Sequence, residues 1–172
     1  MSWVIPLLQF AYGFFRGVEQ GYADRQAGRR LQYEVQSDYD WQQHMVALSN
    51  ATRLPLVRLK PSSAVFDLQV RGQSYGVVVL CQGQTALISV CSCITFPSGR
   101  APRDISAGLA RVSKRLERCD YELVQGDDGD FYCVQSRISL ERLSPDAFSA
   151  GINEMLPNVL MLEKYLLENN YA

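Results

Sequence analysis

Cysteine thiols are the first side chains to consider for chemistry in this 172-residue sequence. Cys91 and Cys93 stand two residues apart in a segment predicted as a strand, so we expect both on one face, with Cys81 on the neighbouring strand. Structural zinc sites instead present their cysteine pairs in turns, usually with histidine nearby. Burial as small apolar side chains is therefore the favoured interpretation, and no metal site is predicted.

The other groups that could take part in catalysis do not form a recognisable constellation. His44 is the only histidine, and neither a nucleophile elbow nor a cysteine-protease signature accompanies it. Asp127, Asp128 and Asp130 lack the calcium-loop pattern with its terminal glutamate, and a hairpin turn explains them. The sequence therefore predicts a protein that is not an enzyme, with no catalytic residue and no cofactor.

Basic side chains form one stripe on a helix predicted after Pro102. A solvated helix face is one interpretation of this stripe, and a surface for an acidic ligand is the other. Over the whole chain, 17 basic residues stand against 18 acidic ones and the pI is 5.8, so we expect no nucleic-acid partner. The residues of the stripe are Arg111, Lys114, Arg115 and Arg118.

The first half of the domain predicts a short helix followed by an antiparallel meander. The helix begins at Ser37 or Asp38, which are both good N-caps, and ends near Asn50. Residues 53–61 contain two prolines and predict an extended connector or an edge strand. Alternating apolar residues, an apolar run and two tight turns then predict three strands, over residues 65–71, 75–81 and 86–96.

The second half predicts a surface helix and a hairpin. Apolar residues on one stripe of the helix would pack on the sheet. An Asp-Gly pair at 128–129, between strands over 121–124 and 131–140, is a strong hairpin signal. The residues of the helical stripe are Ile105, Leu109, Val112 and Leu116.

A long helix ends the predicted domain. Ser144 caps it, Pro145 follows where its missing N–H costs nothing, and the helix continues to about Glu168 with a kink at Pro157. The predicted fold class is therefore α+β, with an antiparallel sheet of about five strands and flanking helices in the order α-βββ-α-ββ-α. The apolar stripe of this helix is wider than one sheet face needs, so part of it is assigned to partner binding. The assigned residues are Val159, Leu160, Leu162 and Leu167.

Residues 1–36 differ from the rest and are predicted as an aromatic and basic arm, separate from an α+β domain over 37–172. The apolar start has no basic segment before it and no small-residue cleavage site after it, so a signal peptide is not expected. It is also too short to span a bilayer. The aromatic residues of the arm assigned to partner binding are Trp3, Phe10, Phe14 and Phe15, and its arginines are Arg16, Arg25, Arg29 and Arg30.

The C-terminal half carries the residues of a family resemblance. A helix ending in RCDYEL (118–123), an Asp-Gly hairpin, SRISL (136–140) and LSPDAF (143–148) are similar to the YbjN-type family of bacterial sensory-transduction regulators. The order of the elements over about residues 37–169 resembles the type III secretion chaperone-like fold. The resemblance implies a bacterial protein without catalytic residues, often dimeric, that binds segments of other proteins or influences stress and motility responses.

Two functions are therefore carried forward. The first is a cytoplasmic, homodimeric protein-binding module, chaperone-like or regulatory, that binds a segment of a partner protein. The second is a peripheral membrane module in which residues 1–30 place aromatic rings in the interface beside arginines for anionic lipid. A reducing cytoplasm is favoured because the cysteines are odd in number and without paired spacing. They are Cys81, Cys91, Cys93, Cys119 and Cys133.

Overall fold

The computed structural model describes residues 40–102, 105, 120–126, 129–169 and 171. Several sequence predictions lie outside these residues: the aromatic and basic arm, nearly all of the helix after Pro102, the basic stripe, Cys119, and the turn residues Asp127 and Asp128. Ile105 is helical and fully buried, in agreement with its predicted place on an apolar stripe.

Six strands form one antiparallel sheet in the described part of the chain, and two α-helices accompany it, which confirms the α+β fold class. The spatial order of the strands is β1-β2-β3-β4-β6-β5. The sixth strand is β1, so the edge-strand alternative is right for the proline-flanked segment. The strands are β1 (Leu56–Lys60), β2 (Ser63–Val70), β3 (Gln73–Gln82), β4 (Thr85–Phe96), β5 (Asp120–Gly126) and β6 (Gly129–Ser139).

Strands β2, β3 and β4 form the predicted meander through two two-residue turns. Val70 pairs with Gln73, so the first turn is Arg71-Gly72, and Arg71 is not part of the strand predicted over 65–71. Both of its residues have positive φ, 51° at Arg71 and 82° at Gly72, which matches the twist of a hairpin. The apolar run in β3 is central in the sheet, as its two apolar faces predict.

Strand β6 lies between β4 and β5 and pairs antiparallel with both, so β4 and β5 run parallel to each other. The register between β4 and β6 shifts between Cys91 and Thr95, where β4 has a bulge. At the other end of this pairing, Gly129 has φ 133°, and a Cβ on it would stand 2.4 Å from the carbonyl oxygen of Phe96. The close approach of β6 to β4 there requires glycine.

The two α-helices are α1 (Trp41–Thr52) and α2 (Pro145–Glu168). Asp40 caps α1 by accepting the N–H of Gln43, so the predicted caps Ser37 and Asp38, three and two residues earlier, are wrong. Ser144 caps α2 by accepting the N–H of Ala147, as predicted. Helix α2 continues through Pro157, which lies on its exposed side where the missing N–H is tolerated.

Both helices pack on the same face of the sheet, which we call the inner face. The main core lies there and joins α1 and α2 to the inward side chains of β2, β3, β4 and β6. The opposite, outer face carries a second apolar cluster, the outer-face cluster, which consists of strand residues. Its buried members are Val65, Val78, Cys91, Phe131 and Cys133.

No helix among the described residues is both long enough and apolar enough to cross a membrane.

Candidate functional site

A buried carboxylate joins α2 to the middle of the sheet. Glu163 is only 8% exposed, although it lies in a helix whose neighbours at 164 and 165 are exposed. Its Oε2 accepts the hydroxyl of Tyr75 at 3.0 Å, and its Oε1 accepts the hydroxyl of Ser92 at 2.9 Å and the backbone N–H of Cys93 at 2.6 Å. Three donors from two strands therefore hold one helical side chain.

The bulge in β4 explains why these donors are available. Extra residues between Cys91 and Thr95 interrupt the ladder to β6, and the N–H groups in the bulge need other acceptors. Glu163 supplies the acceptor for Cys93, while the Ser92 hydroxyl accepts the N–H of Ile94 at 3.0 Å. The cluster thus replaces the ladder bonds that the bulge removes.

The chemistry of this cluster does not favour nucleophilic catalysis. Burial, followed by the nearby charge of Glu163, raises the pKa of the Cys93 thiol to about 12. Burial and the hydrogen bond to Glu163 raise the pKa of the Tyr75 phenol well above its ordinary value. A reactive cysteine needs its thiolate near neutral pH. Both groups stay protonated there, so the cluster acts as a structural link between helix and sheet.

The remaining thiols also differ from the sequence prediction. Cys91 and Cys93 do not share a face, because the bulge between them places Cys91 in the outer-face cluster and Cys93 against the inner core. Cys133 is the direct cross-strand partner of Cys91. Burial raises the pKa of Cys133 to about 12 and raises that of Cys91 well above its ordinary value. Within the part of the chain that the structure covers, no group of three or more metal-ligating side chains occurs.

His44 and Asp130 hold loops in place. The Nε2 atom of His44 lies 2.7 Å from the backbone carbonyl oxygen of Leu143, so this nitrogen carries the proton and links α1 to the start of α2. The carboxylate of Asp130 accepts the N–H of Gly99 at 2.8 Å and is itself buried. Each side chain therefore binds backbone that connects two elements.

The surface feature with a binding character is an apolar patch on the second half of α2, which we call the C-terminal patch. Its side chains are between 36% and 59% exposed. The exposed pair Lys164–Glu168, with Nζ and Oε1 3.6 Å apart, lies between Leu160 and Leu167 on one side and Met161 and Tyr165 on the other. The members of the C-terminal patch are Leu160, Met161, Tyr165, Leu167 and Tyr171.

Tyr171 lies back against α2 beside this patch. The N–H of Tyr171 donates to the carbonyl of Leu166 at 3.0 Å, and the ring of Tyr171 stacks on that of Tyr165 with centroids 6.4 Å apart. Asn169 donates its side-chain amide to the carbonyl of Tyr165 at 2.8 Å. The backbone bond fixes the main chain at Tyr171, and the ring contact brings two aromatic side chains together at the surface.

The predicted partner-binding residues of the last helix divide into two groups. Val159 and Leu162 are buried in the cores under α2, whereas Leu160 and Leu167 are exposed in the C-terminal patch. Sequence reasoning missed Met161 and Tyr165, which lie off the apolar stripe. Their spacing of four residues on a helix was the signal that could have found them.

The remaining predicted site residues lie outside the described part of the chain. They are Trp3, Phe10, Phe14 and Phe15 of the arm, and Arg111, Lys114, Arg115 and Arg118 of the basic stripe.

The fold has a counterpart among solved structures. It is similar to the crystal structure of the ExsC-ExsE complex, with a TM-score of 0.53 and 15% sequence identity, over 73% of this chain and 96% of that chain. No family model matches the chain, and no curated protein matches it. This likeness shows the fold and supports the predicted chaperone-like fold, whereas the resemblance to the YbjN-type family stays a prediction.

Proposed function

We propose that this chain is a non-enzymatic protein-binding module, chaperone-like or regulatory, whose C-terminal patch holds an apolar segment of a partner protein. The observation that carries the proposal is the exposure of four large apolar side chains on two turns of one helix, Leu160, Met161, Tyr165 and Leu167. These side chains form two apolar strips, one on each side of the Lys164–Glu168 pair, and exposed apolar surface beside polar residues is typical of a protein-binding site.

The rigid support of the patch favours binding over simple exposure. Glu163, which is one helical turn from Leu160 and from Leu167, fixes α2 to the sheet, and the ring of Tyr165 stacks on that of Tyr171. Aromatic side chains are common hot spots at interfaces. The ExsC-ExsE complex, which shares the fold, is itself a complex of two proteins. Both observations support a partner protein as the ligand.

A reducing compartment fits the same interpretation. Cys81, Cys91, Cys93 and Cys133 are free thiols, and Cys91 and Cys133 face each other across two strands without a disulfide. We therefore propose a cytoplasmic location.

We also propose that the chain forms a homodimer through β5. Edge strand β1 is short, has a bulge between Leu56 and Arg58, and is flanked by prolines at 55 and 61. Edge strand β5 pairs without a bulge along all seven of its residues and contains no proline. Natural proteins protect edges in the manner of β1, and an unprotected edge is available for pairing. A two-fold axis at Leu123 would place Glu122 opposite Val124 of the second copy, with no like charges opposed.

The experiment that tests the protein-binding proposal is quantitative affinity capture from the native host. The wild-type chain is compared with Leu160→Glu/Leu167→Glu and with a control, Ala150→Glu/Asn153→Glu, which adds the same charge on exposed positions in the first half of α2. We expect at least one protein captured by the wild type and the control and lost with the patch variant. Identical capture by all three chains would refute the proposal.

A further inference from the structure

The outer face of the sheet is buried, although neither helix lies on it. The five members of the outer-face cluster are only 1% to 3% exposed, as is Leu87 at 3%. A side chain on a bare sheet face keeps its outer end in water even when its strand neighbours are large. Exposures this low therefore require something packed over the face.

Nothing in the described part of the chain can provide this cover. Helices α1 and α2 contribute to the inner core, and the outer-face cluster is made of strand residues, with Val57, Leu80 and Val124 at its margin. Two stretches of the chain outside the description are long enough to be considered. They are residues 1–39 and the connection between β4 and β5, around residues 106–119.

Topology assigns the connection between β4 and β5 to the inner face. Leu140 donates its N–H to Gln84, so Ala86, Ile88 and Val90 are the β4 residues that bond to β6. The side chains of these three residues face α2. Suppose that the sheet is viewed from the side of α2 with β4 running upward. In an L-residue whose side chain then points at the viewer, the N–H and C=O groups point to the right, so β6 and β5 lie to the right of β4. A right-handed crossover, the hand of about 98% of such connections, then passes on the side of α2.

Packing gives the same answer independently. Ile105, in the connection, is fully buried in a cluster with Leu162 and Leu166 of α2 and with the inward Tyr132 of β6. Ile105 therefore lies on the inner face, which leaves residues 1–39 as the other segment to be considered as the cover of the outer face.

We propose that the aromatic arm packs in cis on the outer face of its own sheet, over Val65, Val78, Cys91 and Cys133. The composition of the arm suits this role, because its Trp, Phe and Tyr side chains each bury roughly 150–250 Å² in a well-packed site. The arm is then a second layer of the domain and an intramolecular ligand of the sheet. A membrane or a partner protein can bind the arm only after the arm has dissociated from this face.

The two outer-face cysteines report directly on this cover. In the full-length chain, the rate of alkylation by N-ethylmaleimide is measured for each cysteine by peptide mass spectrometry, for the wild type and for Phe14→Asp/Phe15→Asp. We expect labelling of Cys91 and Cys133 to rise at least tenfold in the variant, while Cys93, on the inner face, changes less than twofold. Gln20→Asp/Gln26→Asp, with the same added charge in the arm, should label like the wild type.

Two results of this experiment would overturn the proposal. The first is unchanged protection of Cys91 and Cys133 in the Phe14→Asp/Phe15→Asp variant. The second is protection in the wild type that disappears on dilution, because the cover would then come from a second copy.

If every cysteine of the variant is alkylated because the variant is unfolded, a photo-cross-linker tests docking in cis instead. With benzoylphenylalanine in place of Phe14, we expect cross-links within one chain to peptides that contain the outer-face cluster. Cross-links that join two chains, or that map to the inner face, would contradict docking in cis.

Discussion

The Oε1 atom of Glu163 lies 2.6 Å from the backbone nitrogen of Cys93, across 70 residues of sequence. This bond joins the last helix to the bulge of β4, the point where the sheet lacks a regular ladder. It fixes the rotation of α2, because the same carboxylate also accepts from Tyr75 and Ser92. The C-terminal patch on the exposed side of α2 is therefore presented in one orientation.

Removal of this carboxylate should destabilise the domain. We expect Glu163→Leu to lower the free energy of unfolding by about 2 kcal/mol, since the N–H of Cys93 would be buried without an acceptor, and Glu163→Gln to cost less because its amide oxygen can still accept. Glu154→Gln, at an exposed position of the same helix, should change it by less than about 0.5 kcal/mol. Urea denaturation measures all three variants, and equal effects at positions 163 and 154 would contradict the assigned role.

Gly129 should tolerate no side chain. A Cβ there meets the Phe96 carbonyl oxygen at 2.4 Å and requires φ of 133°, so we expect Gly129→Ala to cost more than about 2 kcal/mol. Gly83 is the matched control, because it has φ of 62° with nothing within 4 Å, and its alanine variant should cost about 1 kcal/mol. Thermal denaturation compares the two, and a melting temperature of Gly129→Ala at or above that of Gly83→Ala would contradict the close approach.

The buried thiols should make the domain less stable at alkaline pH. Burial raises the pKa of Cys133 from 9.0 to about 12, so the unfolded chain loses this proton first. The stabilisation from the neutral thiol is complete below pH 9 and is lost as the pH rises from 9 toward 12. We expect the free energy of unfolding to fall less steeply with rising pH in Cys133→Ala than in the wild type. The two slopes should differ by up to about 1.4 kcal/mol per pH unit. Urea titrations between about pH 8 and 10.5 test this, and parallel slopes would count against it.

The proposed dimer depends on backbone groups of β5 that point away from β6. Successive residues of a strand bond to opposite sides, and Glu122 and Val124 bond to β6, so the N–H of Gln125 points outward. We expect Gln125→Pro, at an exposed position, to be monomeric and Gln125→Ala to be dimeric like the wild type. Light scattering after size-exclusion chromatography gives the mass, and a dimeric proline variant or a monomeric wild type would exclude this interface.

Much of the fold could be predicted from local patterns. The alternation in β2, the doubly apolar run in β3 and the Ser144-Pro145 cap of α2 each depend on neighbouring residues, and all three occur in the structure as expected. Local propensity and the fold agree at these places, as is usual for natural sequences.

The candidate site could be predicted only in part, because its geometry depends on distant residues. The local pattern of Cys91-Ser92-Cys93 predicts a regular strand. The bulge found there is stabilised by Glu163, which is remote in sequence. From the sequence alone, Glu163 beside Lys164 would be predicted to be a solvent-exposed charge. The helical stripe identified the apolar side of α2, yet only the packing distance to the sheet shows that Leu162 is covered and Leu167 is not.

Isothermal titration calorimetry tests the central claim, that the C-terminal patch binds a partner protein, most directly. Purified full-length chain is titrated with the protein captured by the wild type, and the measurement is repeated with Leu160→Glu/Leu167→Glu and with Ala150→Glu/Asn153→Glu. The account predicts at least a tenfold weaker affinity for the patch variant and less than a twofold change for the control. Equal affinity of all three chains would contradict it.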